Sequence, residues 1–214
     1  MYVPTHFAET RTGKLHAFIR EHAFGALITT TTDGIEANHL PFALDTKPQP
    51  NGILRGHLAR SNPAWRAALL HTEALVIFQG PDAYISPAWY PSKQAHGKVV
   101  PTWNYAVVHA YGRLRFIEDG DWLRRLVDDL TRQHEAGRAA PWNVSDAPAE
   151  YTAGMLRAIV GVELRITRLV GKWKMSQNRS AADRRGVIEG LLEENRNAAT
   201  SVAHAMTPNE DGCA

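Results

Sequence analysis

The feature that most limits how this chain can fold is the period-two alternation of residues 105–117. Val108, Ala110, Leu114 and Phe116 fall on one side and Val107, His109, Tyr111 and Arg113 on the other. Side chains alternate in this way across a strand, not around a helix, so the stretch requires a sheet with one face turned to a core. Shorter segments repeat the pattern. Leu54, Gly56 and Leu58 oppose Arg55, His57 and Ala59; Leu40, Phe42 and Leu44 oppose Ala37, His39 and Pro41; and Val162, Leu164 and Ile166 alternate with polar neighbours. Residues 26–31 are rich in β-branched side chains and residues 75–78 are continuously apolar, with a further short strand expected over 83–86.

Turn chemistry joins these runs. Asp33-Gly34 predicts a type I′ hairpin, and the Pro, Asn and Gly content of residues 47–52 predicts a turn. Pro41 cannot donate to a ladder, so its strand is expected at an edge, or bulged where Asn38 and His39 emerge. Helical spacing is confined to a few places: residues 10–22 around Leu15, Phe18 and Ile19; residues 121–135 around Trp122, Leu123, Leu126, Val127 and Leu130; residues 148–159 around Tyr151, Met155, Leu156 and Ile159; and a segment after Ser180. Ser180 to Asp183 reads as a capping box with Asp in place of Glu. Many short strands with few helices indicate a mainly β chain with α additions, an antiparallel barrel and not a doubly wound sheet.

The 214 residues suffice for one sizeable core with additions. The expected division is a barrel domain over 1–178 with a helical insertion around 121–159, a helical extension over 179–206 and a polar tail over 207–214. No apolar run is long enough for a bilayer, and charges interrupt every apolar stretch of residues 1–30, which argues against a signal peptide. The single cysteine, Cys213, excludes an intrachain disulfide and a thiolate zinc site, and a reducing cytoplasm is expected. A net charge of +2 without a basic block is no nucleic-acid footprint.

Three segments could carry chemistry. Gly56-His-Leu-Ala-Arg60-Ser-Asn-Pro63-Ala-Trp65 runs from a strand toward a helix start, with Asn62 as cap and Pro63 first in the helix. Arg60, Ser61 and Asn62 there could receive a phosphate, although local spacing alone favours a plain cap. Residues 80–91 and 100–105 crowd Trp89, Tyr90, Trp103 and Tyr105 among prolines and amides, either as a wall for a flat heterocycle or as a hydrophobic cluster under a loop. Gly171-Lys-Trp-Lys-Met-Ser-Gln-Asn178 offers cations and amides just before the last helix. His39, His57 and His109 lie on strands and could ligate a metal only if those strands adjoin; no metal site is expected. Dinucleotide, Walker and zinc-protease motifs are absent.

Taken in order, Tyr2-Val-Pro-x-His6-Phe7, Ala37-Asn-His-Leu-Pro41, the block from Gly56 to Trp65, Gly80-Pro-x-Ala-Tyr84-Ile-Ser86-Pro-x-Trp89-Tyr90, Val100-Pro-Thr-Trp-Asn-Tyr105 and the block from Gly171 to Asn178 resemble the PaiB-like family of FMN-binding negative transcriptional regulators. The resemblance spans residues 1 to about 190. It implies an FMN-binding split β-barrel, related to pyridoxamine-phosphate oxidases and flavin reductases, that forms a homodimer with flavin at the subunit boundary.

By position, the resemblance implies that Asn38, His39 and Leu40 pass the flavin ring and that Arg60, Ser61 and Asn62 hold the phosphate. Thr102, Trp103, Asn104, Lys174, Gln177 and Asn178 would form further walls. It also implies a repressor role, yet no helix-turn-helix, zinc finger or basic region is present to contact DNA. A flavin-dependent oxidoreductase is the alternative, because bound FMN would carry the chemistry. A haem-binding barrel using His39, His57 or His109 is a weaker one.

Overall fold

The computed structural model describes residues 1–47 and 50–207. Cys213 and nearly all of the polar tail therefore lie outside the described residues, as do two positions of the turn expected over 47–52. The described elements run from β1 (Ala8–Glu9) and α1 (Thr12–Glu21) through β2 (Phe24–Thr31), β3 (Gly34–Pro41), β4 (Ala43–Asp45) and β5 (Ile53–Ala59) to α2 (Ala64–Ala67). They continue with β6 (Ala74–Ile85), α3 (Ser92–His96), β7 (Thr102–Ile117), α4 (Gly120–Glu135), α5 (Ala149–Arg157), β8 (Ile159–Lys174), α6 (Ala181–Glu193) and α7 (Asn197–Met206). The sheet order is β3-β2-β6-β7-β8-β5-β4, with β1 paired on β8. The path begins at β3 and ends at β4 without closing, and every pair with an assigned register is antiparallel.

The chain gathers into two compact units. One comprises Arg11–Phe78 and Val108–Leu169; the other comprises Met1–Thr10, Gln79–Val107 and Val170 onward.

In the first unit, β5 follows the expected alternation, with Leu54 and Leu58 buried and Arg55 and His57 partly exposed on the other face. Gly56 is required between them, since a Cβ would come within 2.9 Å of Leu40 Cδ1 and 3.0 Å of the Pro41 carbonyl oxygen. Helix α4 buries Leu123, Leu126 and Leu130, the last two clustering with Ala43 and partly buried Trp122. Asp119 caps this helix by accepting from the Trp122 amide at 2.7 Å.

Several sequence expectations are corrected here. The β2–β3 turn is not type I′: Thr31 pairs with Gly34, and the turn residues Thr32 and Asp33 are not among the residues with positive φ. The run through Leu44 is two strands, because Pro41 ends β3, where no donor is available, and the Phe42 amide bonds to the Ala23 carbonyl instead. β3 is an edge strand, as Pro41 requires. On α5 the expected apolar stripe is largely outside: Tyr151 is 61% exposed and Met155 49%, while Thr152 is buried.

In the second unit, Trp89 lies against α6. A Cβ on Gly190 would come within 2.4 Å of its ring, and one on Gly186 within 2.1 Å of its carbonyl oxygen, so the helix offers a smooth seat at two positions one turn apart. Ser180 caps α6 by accepting from the Asp183 amide at 3.1 Å. The Asp183 carboxylate does not complete a capping box. It accepts from the Ser92 amide at 3.0 Å and the Ser92 hydroxyl at 2.9 Å, tying α6 to α3.

Candidate functional site

The residues expected at a flavin phosphate lie in the first unit, where β5 turns into α2. That helix has four residues, a single turn, so the helix-dipole contribution expected there is absent. Pro63, not Asn62, stands at its N-cap, but Asn62 Oδ1 accepts from the Ala64 amide at 2.9 Å, and Asn62 Nδ2 donates to Asn38 Oδ1 at 2.7 Å. This second bond joins the turn to β3, so two of the blocks separated in sequence do meet. His39, beside Asn38, is exposed, and its ring stacks against Phe24 with centroids 6.2 Å apart. Leu40 points into the core at 3% exposure, which leaves only its backbone available to a ligand.

Arg60 is neither free in solvent nor idle. Its Nε donates to the Arg157 carbonyl at 2.9 Å, one terminal nitrogen to the Ile159 carbonyl at 3.1 Å and the other to Glu118 Oε2 at 2.5 Å. The two carbonyl bonds fix the guanidinium plane, and the carboxylate occupies the place an anion would take. Ser61, next to it, is exposed.

In the second unit, Lys174 Nζ donates to the Thr102 hydroxyl and to the Trp103 carbonyl, the latter at 2.6 Å. Burial, and then the neighbouring cations Lys172 and Arg179, push the Lys174 ammonium below its ordinary pKa. The clamp holds the start of β7 while leaving the Trp103 indole 53% exposed, edge-on to Tyr84 with centroids 6.0 Å apart.

Gln177 closes a local loop by donating to the Trp173 carbonyl at 2.6 Å and accepting from the Met175 amide at 2.7 Å; Asn178 beside it is exposed. Asn104, expected as a wall, belongs to the core instead. It is 0% exposed, and its amide bonds Ser176 Oγ at 3.0 Å and Met206 Sδ at 3.3 Å, so no ligand reaches it.

Sequence reasoning missed Glu118. Glu118 carries no local motif, since its role depends on a chain reversal that brings it to Arg60. Ser176 holds φ at 59°, a left-handed conformation unusual for a side chain larger than Gly, with its hydroxyl bonded to Asn104.

His39, His57 and His109 lie on β3, β5 and β7, which are not neighbours in the sheet order, and no metal-holding cluster occurs among the described residues. No helix of the described residues is long and apolar enough to cross a membrane.

The donor chemistry suits a flavin. In the second unit, exposed aromatic faces and a clamped cation match a flat ring with a carbonyl-bearing edge. In the first unit, taken by itself, an exposed hydroxyl beside a restrained guanidinium is chemistry that suits a phosphate.

Comparison with known proteins agrees with this chemistry. The family model described as "Putative FMN-binding domain" matches residues 1–168. A Bacillus subtilis protein named "Protease synthase and sporulation protein PAI 2" is 34% identical over 96% of both chains. An uncharacterized protein of Aspergillus fumigatus is 37% identical over 99% of this chain and 98% of its own. Among solved structures, the FAD and heme binding protein of Mycobacterium smegmatis superposes with a TM-score of 0.56 at 16% identity, covering 83% of this chain and 78% of that one, a likeness of fold. The unclosed antiparallel sheet with its added helices is thus a split β-barrel, and the chain belongs to the PaiB-like family of FMN-binding split-barrel proteins, with FMN as its cofactor.

Proposed function

We propose that this chain is an FMN-dependent negative regulator of PaiB type, acting as a homodimer with a flavin at each subunit boundary. The observation that carries the flavin site is the Lys174 clamp on Thr102 and Trp103, which fixes an exposed indole beside Tyr84. Exposed Tyr2, Val100 and Trp103, all in the same unit, support a surface that another subunit covers. The regulatory role is supported by the name of the Bacillus subtilis relative and by its similarity across nearly the whole chain.

In this reading one unit contributes Trp103, Lys174 and Gln177, with Thr102 and Asn178, as ring contacts, and the other contributes Asn38 and His39. Ser61 and Asn62 receive the phosphate. Arg60 joins them by exchanging Glu118 for the phosphate while its two carbonyl bonds keep the guanidinium in place. FMN, when bound, supplies hydride or electron transfer. The chain's own part is to orient the ring, to shield it and to place a positive charge at its edge.

The absorption spectrum of the freshly purified protein tests the ligand, because a flavin band and a Soret band distinguish FMN from haem. Light scattering with and without FMN tests the dimer. Gel shifts on promoter DNA at two salt concentrations test repression, and specific binding no stronger than the nonspecific background rules out direct repression.

A further inference from the structure

Arginines stand along the outer face of β5, β8 and β7, all within one compact unit. Arg55 on β5 is opposite Glu163 on β8, and Arg115 on β7 donates to Glu163 Oε1 at 2.7 Å. Arg55 has a further carboxylate, Asp129 of α4, at 3.2 Å. Further along, the Thr167 hydroxyl of β8 lies 3.2 Å from the Tyr111 carbonyl oxygen of β7, and Arg168 pairs with Glu73 at 3.5 Å while its guanidinium lies 3.6 Å from the Tyr111 ring centroid.

β7 and β8 are neighbours in the sheet, and these contacts join 115 to 163 and 111 to 167. Arg113 and Arg165, midway between, therefore face each other across the two strands. The strands are close there, since a Cβ on Gly112 would come within 2.2 Å of the Arg165 carbonyl oxygen. Residues two apart share a face, so both side chains lie on the side of Arg115 and Glu163, exposed, with Leu114 and Leu164 buried on the other. The β5 residue opposite Arg165 is Ile53, which carries no charge. Arg55, Arg115 and Arg168 each have a carboxylate, whereas among the described residues neither Arg113 nor Arg165 has an ion pair or a side-chain hydrogen bond. Like charges directly opposite on a sheet are destabilising, so this pair lacks an anion that the neighbouring arginines have.

We propose that Arg113 and Arg165 form an anion site, separate from every residue assigned above to the flavin, for the dianionic phosphate of a phosphomonoester.

Charge and geometry both limit the ligand. Two unneutralised cations match a phosphomonoester, which carries about −1.5 to −2 at pH 7, whereas a phosphodiester or a carboxylate neutralises only one. Each guanidinium is a planar fork that gives two parallel N–H bonds to phosphate oxygens. Residues directly opposite on antiparallel strands have Cβ atoms about 4.5 to 5.5 Å apart, which lets both forks reach one tetrahedral group. Glu163 and Glu73 are held by Arg115 and Arg168 and do not compete. The two arginines stand on an exposed sheet face, so the phosphate is the part recognised and the rest of the molecule contributes little.

Isothermal titration calorimetry of the full chain with one equivalent of FMN, which occupies the flavin site, tests the assignment. The probes are inorganic phosphate, AMP, cyclic AMP, adenosine and a short DNA duplex at low salt. One saturable site per chain is expected for phosphate and for AMP at similar affinity, with cyclic AMP weaker by about fivefold or more and adenosine not bound. Arg113→Gln and Arg165→Gln should each weaken AMP by about tenfold, the loss of one charge-assisted fork. Both positions are exposed, and either variant alone decides the matter if the other does not fold. Arg125→Gln, which removes the same charge from an exposed position on α4, should leave AMP binding unchanged. Absence of a saturable site, equal affinity for AMP and cyclic AMP, tighter binding of the duplex than of AMP, unaltered affinity in the Arg113 and Arg165 variants, or an equal loss in Arg125→Gln would each overturn the proposal. None of these outcomes bears on FMN binding, which flavin fluorescence reads separately.

Discussion

Arg60 donates to Glu118 at 2.5 Å while its other nitrogens hold the carbonyls of Arg157 and Ile159. The pair is partly exposed, so its contribution to stability is at most about 1 kcal/mol. If Arg60 receives the flavin phosphate as proposed, the pair bears more on ligand affinity, because the phosphate then competes with the carboxylate for the same guanidinium.

Replacing Glu118 with Gln should therefore tighten FMN binding several-fold, and Arg60→Ala should weaken it by about 1.5 to 3 kcal/mol through loss of charge-assisted bonds. Flavin fluorescence quenching reads both. If both variants bind FMN as the wild type does, Arg60 has no part in the phosphate site.

Trp103→Ala should loosen either the flavin or the dimer, since the indole is exposed and braced from behind by Lys174. Sedimentation velocity with and without FMN separates the two effects. Unchanged mass and unchanged affinity would remove Trp103 from both surfaces.

Gly190→Ala should destabilise the protein by about 1 to 3 kcal/mol, because the new methyl group overlaps the Trp89 ring. Gly154→Ala is the matched control. It too lies within a helix, but its nearest neighbour is a flexible Arg157 terminal nitrogen at 3.9 Å, so it should stabilise by about 0.5 to 1 kcal/mol. Denaturant midpoints check both signs, and a destabilised Gly154→Ala would show that helix propensity does not govern that site.

Acidification should lower stability over a defined window. Burial depresses the pKa of His22, His57 and His109 in the folded chain, with Glu21 opposing at His22 and Arg168 reinforcing at His109. As pH falls through the unfolded value of about 6.5, the unfolded chain takes up protons first, so stability is full above that value and is lost on the way down to the folded values. Urea midpoints at pH 7.5, 6.5 and 5.5 should decline, and His57→Gln should decline less. A flat profile would mean the three imidazoles are solvated in the native state.

The strands were legible because their alternation is a local consequence of a half-buried sheet, as at Leu54, Gly56 and Leu58. What the sequence could not show is where one element borrows from another far away. Asp183 reads as a helix-start residue, yet its carboxylate serves Ser92; Asn104 reads as a ligand amide, yet its partners are Ser176 and Met206. Both side chains have the chemistry of a site, and only the packing of distant segments decides that they face inward. The stripe on α5 misled for a related reason: periodicity marks an apolar face, but the surface it packs on must exist, and Tyr151 and Met155 lie largely in solvent.

The Asn104 bonds also have a bearing on synthesis. The unit that contains Met1–Thr10 and Gln79–Val107 is completed by Val170 onward, and Asn104 is paired to Ser176 and Met206, 72 and 102 residues later in the sequence. A ribosome releases those partners well after Asn104 itself. Until then the early segments of this unit, Trp89 and Asn104 among them, wait without the helices that cover them, which is the period in which a nascent chain of this topology most needs a chaperone.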